Sequence, residues 1–180
     1  MRTTLSVATS LALACLAAAT AVPALAQTTH IHSVQVQEDL DRAEALLTRA
    51  IALEKSPVRK DWVKAAKLRV ESADLRGCSD PEVFPSLYRA AKVFYEDGKI
   101  GEARDAFDRA ASHALHTGDV MNAADAYIAL AWIARDRGEA ELQHSYLAKA
   151  QDLSCSPLLT AEQVAVIHER INDKVNGGGS

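Results

Sequence analysis

The chain has 180 residues, 20 basic against 24 acidic side chains, a formal net charge of −4 and an apolar share of 48%. Its basic residues are scattered among acidic ones, as on a solvated helical surface, so the clustered cationic face of a nucleic-acid binder is excluded.

Arg2 opens the sequence with a positive charge, and an apolar run from Leu5 to Val22 follows. Ala24-Leu25-Ala26 then fits the small-x-small rule, so residues 1–26 read as a secretory signal peptide removed after Ala26. A membrane anchor is the alternative, but the run is alanine-rich, short for a span and followed by a processing site. Cys15 raises lipidation, yet Ala12-Leu13-Ala14 puts the leucine one place off the usual lipobox. What remains is Gln27 to Ser180, with 19 basic against 24 acidic residues once Arg2 is gone. That length suits one domain with its own core. No later apolar run is long enough to cross a bilayer, so an exported protein, periplasmic or secreted, without stable membrane insertion is expected.

Residues 27–35 lack periodicity and are expected to form a flexible linker. From 36 to 175 the reading is all-α, because β-branched residues never alternate with polar ones over a useful length. Seven helices are predicted near 36–55, 60–76, 82–97, 99–117, 120–137, 139–153 and 160–175. Gly77, Gly98, Gly118 and Gly138 fall about twenty residues apart, each closing an apolar-periodic segment, where glycine suits the left-handed residue just past a helix end. Asp119 is placed to cap the fifth helix. Thr160 and Gln163 have capping-box spacing for the seventh. Pro57, Pro81 and Pro157 lie between helices, and Pro85 lies in a first turn, where a missing N–H does little harm. Residues 176–180 read as a flexible tail.

One pattern occurs twice. Leu87, Ala90, Ala91, Phe94, Gly98, Ala103, Phe107 and Ala110 are followed forty residues later by Tyr127, Leu130, Ala131, Ala134, Gly138, Gln143, Leu147 and Ala150. Each set places small or large apolar residues on one face of a helix, a glycine at its end, and a matching stripe on the next helix. These offsets resemble the tetratricopeptide repeat. Residues 84–117 match best, whereas 124–155 depart at Ala134, where the family prefers an aromatic, and at Gln143, where it prefers alanine. The forty-residue period exceeds the family's 34. The resemblance implies a right-handed solenoid of antiparallel helical hairpins; a closed helical bundle with recurrent alanine stripes is the alternative.

Catalytic motifs are sparse. There is no G-x-S-x-G elbow, phosphate-binding glycine loop or C-x-x-C, and His168-Glu169 lacks the second histidine of a helical zinc-protease motif. His113 and His116 can share a helix face, but no third metal ligand is evident, and imidazolium near a helix C-terminus suits the dipole. His30 lies near the processed N-terminus, in position to join a free amine around copper or nickel only if cleavage falls one residue later. No cofactor is therefore expected.

The candidate site is a groove. Tyr88, Lys92 and Tyr95 form an i, i+4, i+7 stripe roughly opposite the packing face of the third helix, and Ile128, Trp132 and Arg135 are the equivalent stripe on the fifth. The resemblance implies that this face lines a concave surface receiving a protein or peptide partner. Aromatics beside cations suit an acidic or C-terminal segment. The family's lysine-asparagine clamp is absent, since Lys92 stands where asparagine belongs. The expected function is a non-enzymatic binding or scaffold module. A helical-bundle carrier of a small apolar ligand or metal, with its pocket on Trp132 and Tyr127, is the alternative, and a hydrolase or lyase with a site between helices is third. Cys78 and Cys155 occupy similar turns two repeats apart and are expected to be unpaired.

Overall fold

The computed structural model describes the backbone of residues 22–176 and the side chains of residues 33–173. Residues 1–21, which hold most of the expected signal peptide, and residues 177–180 of the expected tail lie outside the described part. Among the described residues there are seven helices and no strand: α1 Val22–Glu54, α2 Arg59–Asp74, α3 Val83–Glu96, α4 Ile100–His116, α5 Val120–Asp136, α6 Ala140–Ser154 and α7 Ala161–Asn176. Six of the seven fall within two residues of the expected bounds. The exception is α1, which starts at Val22, so the expected linker at 27–35 is helical here. No glycine or proline interrupts residues 24–55, and Pro23 sits in the first turn, where its missing N–H costs no helical bond.

The described residues divide into two units, with the boundary between 39 and 40. In the first, the described residues belong to α1, where the Gln35 amide donates to Asp39 Oδ1 at 3.2 Å one turn away. The second holds the rest of α1 and α2 to α7.

Within the second unit, the helices form because their apolar positions recur with helical period. In α3 the buried residues are Val83, Ser86, Leu87, Ala90, Ala91 and Phe94. In α4 they are Ala103, Ala106, Phe107, Ala110, Ala111 and Ala114. Both are single stripes at i, i+3, i+4, i+7. Alanine at most contact positions lets neighbouring helix axes approach closely, while Phe94, Phe107, Leu130 and Ile133 supply the bulk of the central core. The helix α5 is buried on several sides, with Ala123, Ala124, Ala126, Ile128, Leu130, Ala131, Ile133 and Ala134 all covered. The second copy of the repeated pattern is looser on α6. There Tyr146 is buried and its neighbour Leu147 only half so, next to a half-buried Gln143.

From α2 onward each helix packs on the next in sequence, and α3 touches α5 while α5 touches α7. From α2 onward, four polar ties join alternate helices. Asp74 of α2 accepts from Arg109 of α4, and Asp136 of α5 from Tyr95 of α3. Glu139, at the start of α6, accepts from Arg104 of α4, and Asp125 of α5 from Arg170 of α7. Exposed ties of this kind contribute little each, about 0–1 kcal/mol, but they restrict how neighbouring hairpins rotate. The end of α1 is tied both to α2 and, through Glu54, to α3. The Ser72 hydroxyl donates to the Ala43 carbonyl at 2.8 Å, and Glu54, 11% exposed, accepts from Arg69 Nε at 2.7 Å and lies 2.9 Å from Arg89 Nε.

Three of the four punctuating glycines act as expected. Gly98, Gly118 and Gly138 have φ of 76°, 75° and 73°, each closing a helix. The next residue donates back to the helix, as Lys99 N–H does to the Phe94 carbonyl at 2.8 Å, and Asp119 and Glu139 do in turn. These are Schellman ends, and only glycine adopts that backbone without strain. Gly77 is the correction: its φ is not positive, because α2 closes at Leu75 with right-handed geometry. The Asp119 cap is present, its Oδ1 accepting from Asn122 N–H at 3.1 Å. So is the Thr160–Gln163 capping box, with reciprocal bonds of 3.2 and 2.8 Å.

Candidate functional site

Four of the six expected groove residues meet around one cavity. Tyr88, Lys92 and Tyr95 project from α3, and Trp132 projects from α5 one helix pair on. With Glu96, Phe107, Ala129 and Ile133 they enclose about 220 Å³. A wider hollow of about 420 Å³ shares Tyr88, Lys92 and Glu96 with it and extends over Phe84 and Pro85 to Trp62 of α2. The two are therefore continuous along the face of α3. From Phe84 to Tyr95 that face runs about 16 Å at 1.5 Å per helical residue.

The aromatic lining is ordered by ring contacts. Phe84 stacks on Tyr88 with centroids 5.4 Å apart, and Tyr88 meets Phe107 edge-on at 5.1 Å and 78°. Tyr88 is half-buried. Burial, with the Asp125 carboxylate adding to it, raises its phenol above the ordinary value, against the opposing charge of Arg170.

Tyr95 is held differently. Its hydroxyl donates to Asp136 Oδ2. This bond first, and then burial and the negative charge of Asp136, push its pKa up to about 12. In return the Tyr95 bond, against the opposing effect of partial burial and with help from the bonds and charge of Arg135, keeps the Asp136 carboxyl below its ordinary value.

Two of the expected groove residues are placed otherwise. Ile128 does not line the groove. It is 5% exposed and shares a buried cluster with Ala124, Ala150 and Ile167, because α7 packs over that end of α5. Arg135 is half-buried against its neighbour, with Nε and Nη2 lying 3.2 and 3.0 Å from Asp136 Oδ1. Its cation is engaged in the Tyr95–Asp136–Arg135 cluster rather than presented to the groove.

Phe84, Trp62 and Glu96 also line this face, outside the expected stripes. Phe84 is legible in the sequence, one turn before Tyr88 on the same stripe. Trp62 is not, because α2 departs from the repeated pattern. Its indole N–H donates to the Ser56 carbonyl at 2.7 Å, which fixes the ring at the edge of the hollow. The charges around the face are mixed. Glu54 is held between Arg69 and Arg89; burial alone would raise its carboxyl, but the bonds from the two guanidinia outweigh burial and lower it.

The metal and carrier alternatives find different surroundings. His113 is half-buried and His116 exposed on α4. Among the described residues, no three histidine, cysteine or carboxylate side chains are grouped to hold a metal ion; the side chains of His30 and His32 lie outside them. His168 Nε2 lies 3.3 Å from the Ser154 hydroxyl. Tyr127 is not among the residues that line the cavity at Trp132, where the carrier alternative places it. It stacks on Tyr146 at 6.3 Å, and the Lys149 ammonium lies 5.0 Å from its ring centroid. Cys78 and Cys155 are both exposed and unpaired. No protein-family model matches the chain, and no curated protein is detectably similar to it.

Proposed function

We propose that this protein is an exported, non-enzymatic interaction module of tetratricopeptide-like hairpins that holds a protein or peptide segment against α3 and α5. The observation that carries the reading is the continuous face from Trp62 to Trp132, where aromatic side chains of α2, α3, α4 and α5 line two joined hollows. Its roughly 16 Å run along α3 matches about five residues of extended chain at about 3.3 Å each. The repeat-array reading is supported by nearest-neighbour packing from α2 onward and by the three left-handed glycines at twenty-residue intervals. Against a carrier of larger apolar ligands stands the size of the more enclosed cavity, below the roughly 300–1,000 Å³ of most small-molecule sites.

Export is tested by the intact mass of protein recovered outside the cytoplasm, which should begin at Gln27. A mass retaining residues 1–26, or a lipid adduct on Cys15, would refute it. Binding is tested by copurification from the exported fraction, followed by titration of the recovered partner against variants. Trp132→Ala should weaken binding by about 2 kcal/mol or more while leaving the melt close to wild type, as for an interface anchor. A collapsed melt together with unchanged affinity of the folded fraction would return Trp132 to the core and remove the main support for the groove.

A further inference from the structure

The cavity and its mouth specify more than a generic peptide. About 220 Å³ holds one large side chain and is too narrow for a helix, whose diameter with side chains is about 10 Å. The walls are apolar: Tyr88, Tyr95, Phe107, Trp132, Ala129 and Ile133. The only charged groups lining this cavity are Lys92 and Glu96, one helical turn apart, and both side chains are exposed. Neither takes part in an ion pair among the described residues, whereas the neighbouring charges Arg89, Asp125, Arg135 and Asp136 are all engaged. A partly buried aromatic floor with one open cation and one open anion at its rim is complementary to an apolar anchor flanked by both signs of charge.

We infer that the cavity is an anchor pocket for one large apolar residue, aromatic or branched aliphatic, of an extended peptide. The peptide carries an acidic residue on the side of that anchor that meets Lys92 and a basic residue on the side that meets Glu96. The apolar side chain fills the space between Tyr88 and Trp132, and the flanking charges fix the direction in which the peptide lies. This inference rests on the groove reading above and adds to it the chemistry of the ligand.

The test starts from a random twelve-residue peptide display library selected against the whole protein. The enriched sequences should share one large apolar residue with an acid on one side and a base on the other. For a synthetic selected peptide, replacing the anchor with alanine should lower affinity at least tenfold. In the protein, Ala129→Leu fills the cavity and should cause a similar loss with an unchanged melting temperature. The double variant Lys92→Glu with Glu96→Lys should prefer the peptide whose flanking charges are exchanged. The anchor-to-alanine peptide leaves the protein untouched, so the result stands even if Ala129→Leu misfolds.

Enrichment of peptides that compete with one another, require Trp62 and Phe84, and yet keep their affinity when the anchor is removed would overturn the pocket inference and leave the groove reading standing. Failure to enrich any peptide, or enrichment of peptides indifferent to every groove substitution, would overturn both.

Discussion

The same substitution, glycine to alanine, should have opposite effects at two positions only seventeen residues apart. Gly118 has φ of 75° in the turn between α4 and α5, its N–H bonding the Leu115 carbonyl at 3.2 Å. A Cβ built there meets nothing within 4 Å, so the cost of alanine is the left-handed backbone alone, about 1–2 kcal/mol. Gly101 lies inside α4 with ordinary helical backbone, and a Cβ there also meets nothing within 4 Å. Alanine should therefore remove backbone entropy from the unfolded chain and stabilise the fold by about 0.5–1 kcal/mol. At about 2–4 °C per kcal/mol for a domain of this size, Gly118→Ala should lower the melting temperature by about 2–8 °C. Gly101→Ala should raise it by about 1–4 °C on the same conversion. Thermal denaturation followed by helical circular dichroism, with urea melts to check that the slope is unchanged, measures both. Shifts of the same sign would refute the reasoning, since space is equal at the two sites and only the backbone differs.

Tyr95→Phe should cost about 1 kcal/mol at neutral pH by removing the bond to Asp136. Because the folded Tyr95 pKa is raised to about 12, its contribution is fully present below the unfolded value near 10 and lost as pH rises through about 12. The lowered Asp136 pKa makes the same contribution disappear as pH falls below the ordinary carboxylate range, so wild-type and variant urea midpoints should converge at both extremes. A gap independent of pH would show that the bond does not link the two groups. Glu54→Ala leaves Arg69 and Arg89 without their shared carboxylate and should destabilise by roughly 3 kcal/mol, whereas loss of only a few tenths in a urea melt would show the cluster to be solvated. Folded protein should react with two equivalents of a thiol reagent at Cys78 and Cys155; zero reactive thiols in monomer, before and after denaturation, would contradict the open placement of the two turns.

Much of the architecture was legible in the residues because it is local. The apolar stripes at i, i+3, i+4 and i+7, the Asp119 cap, the Thr160–Gln163 box and the glycines after α3, α4 and α5 each depend on a few neighbouring side chains and the backbone between them. Gly77 shows the edge of that legibility, since a glycine after an apolar stripe permits a left-handed end but does not compel one. The stripe Tyr88–Lys92–Tyr95 was also readable, as was its pairing with Trp132. What covers a helix face was not. Periodicity says which residues share a side, but Ile128 is buried because α7, some forty residues further on, packs there, while Trp132 one turn later lines a cavity. Arg135 is engaged because Asp136, beside it in sequence, sits where Tyr95 of α3 arrives from forty-one residues before. Trp62 joins the hollow from a helix whose sequence departs from the repeat. Local spacing determines the helices and their ends, and the packing of distant helices decides which of their exposed-looking residues still face open space.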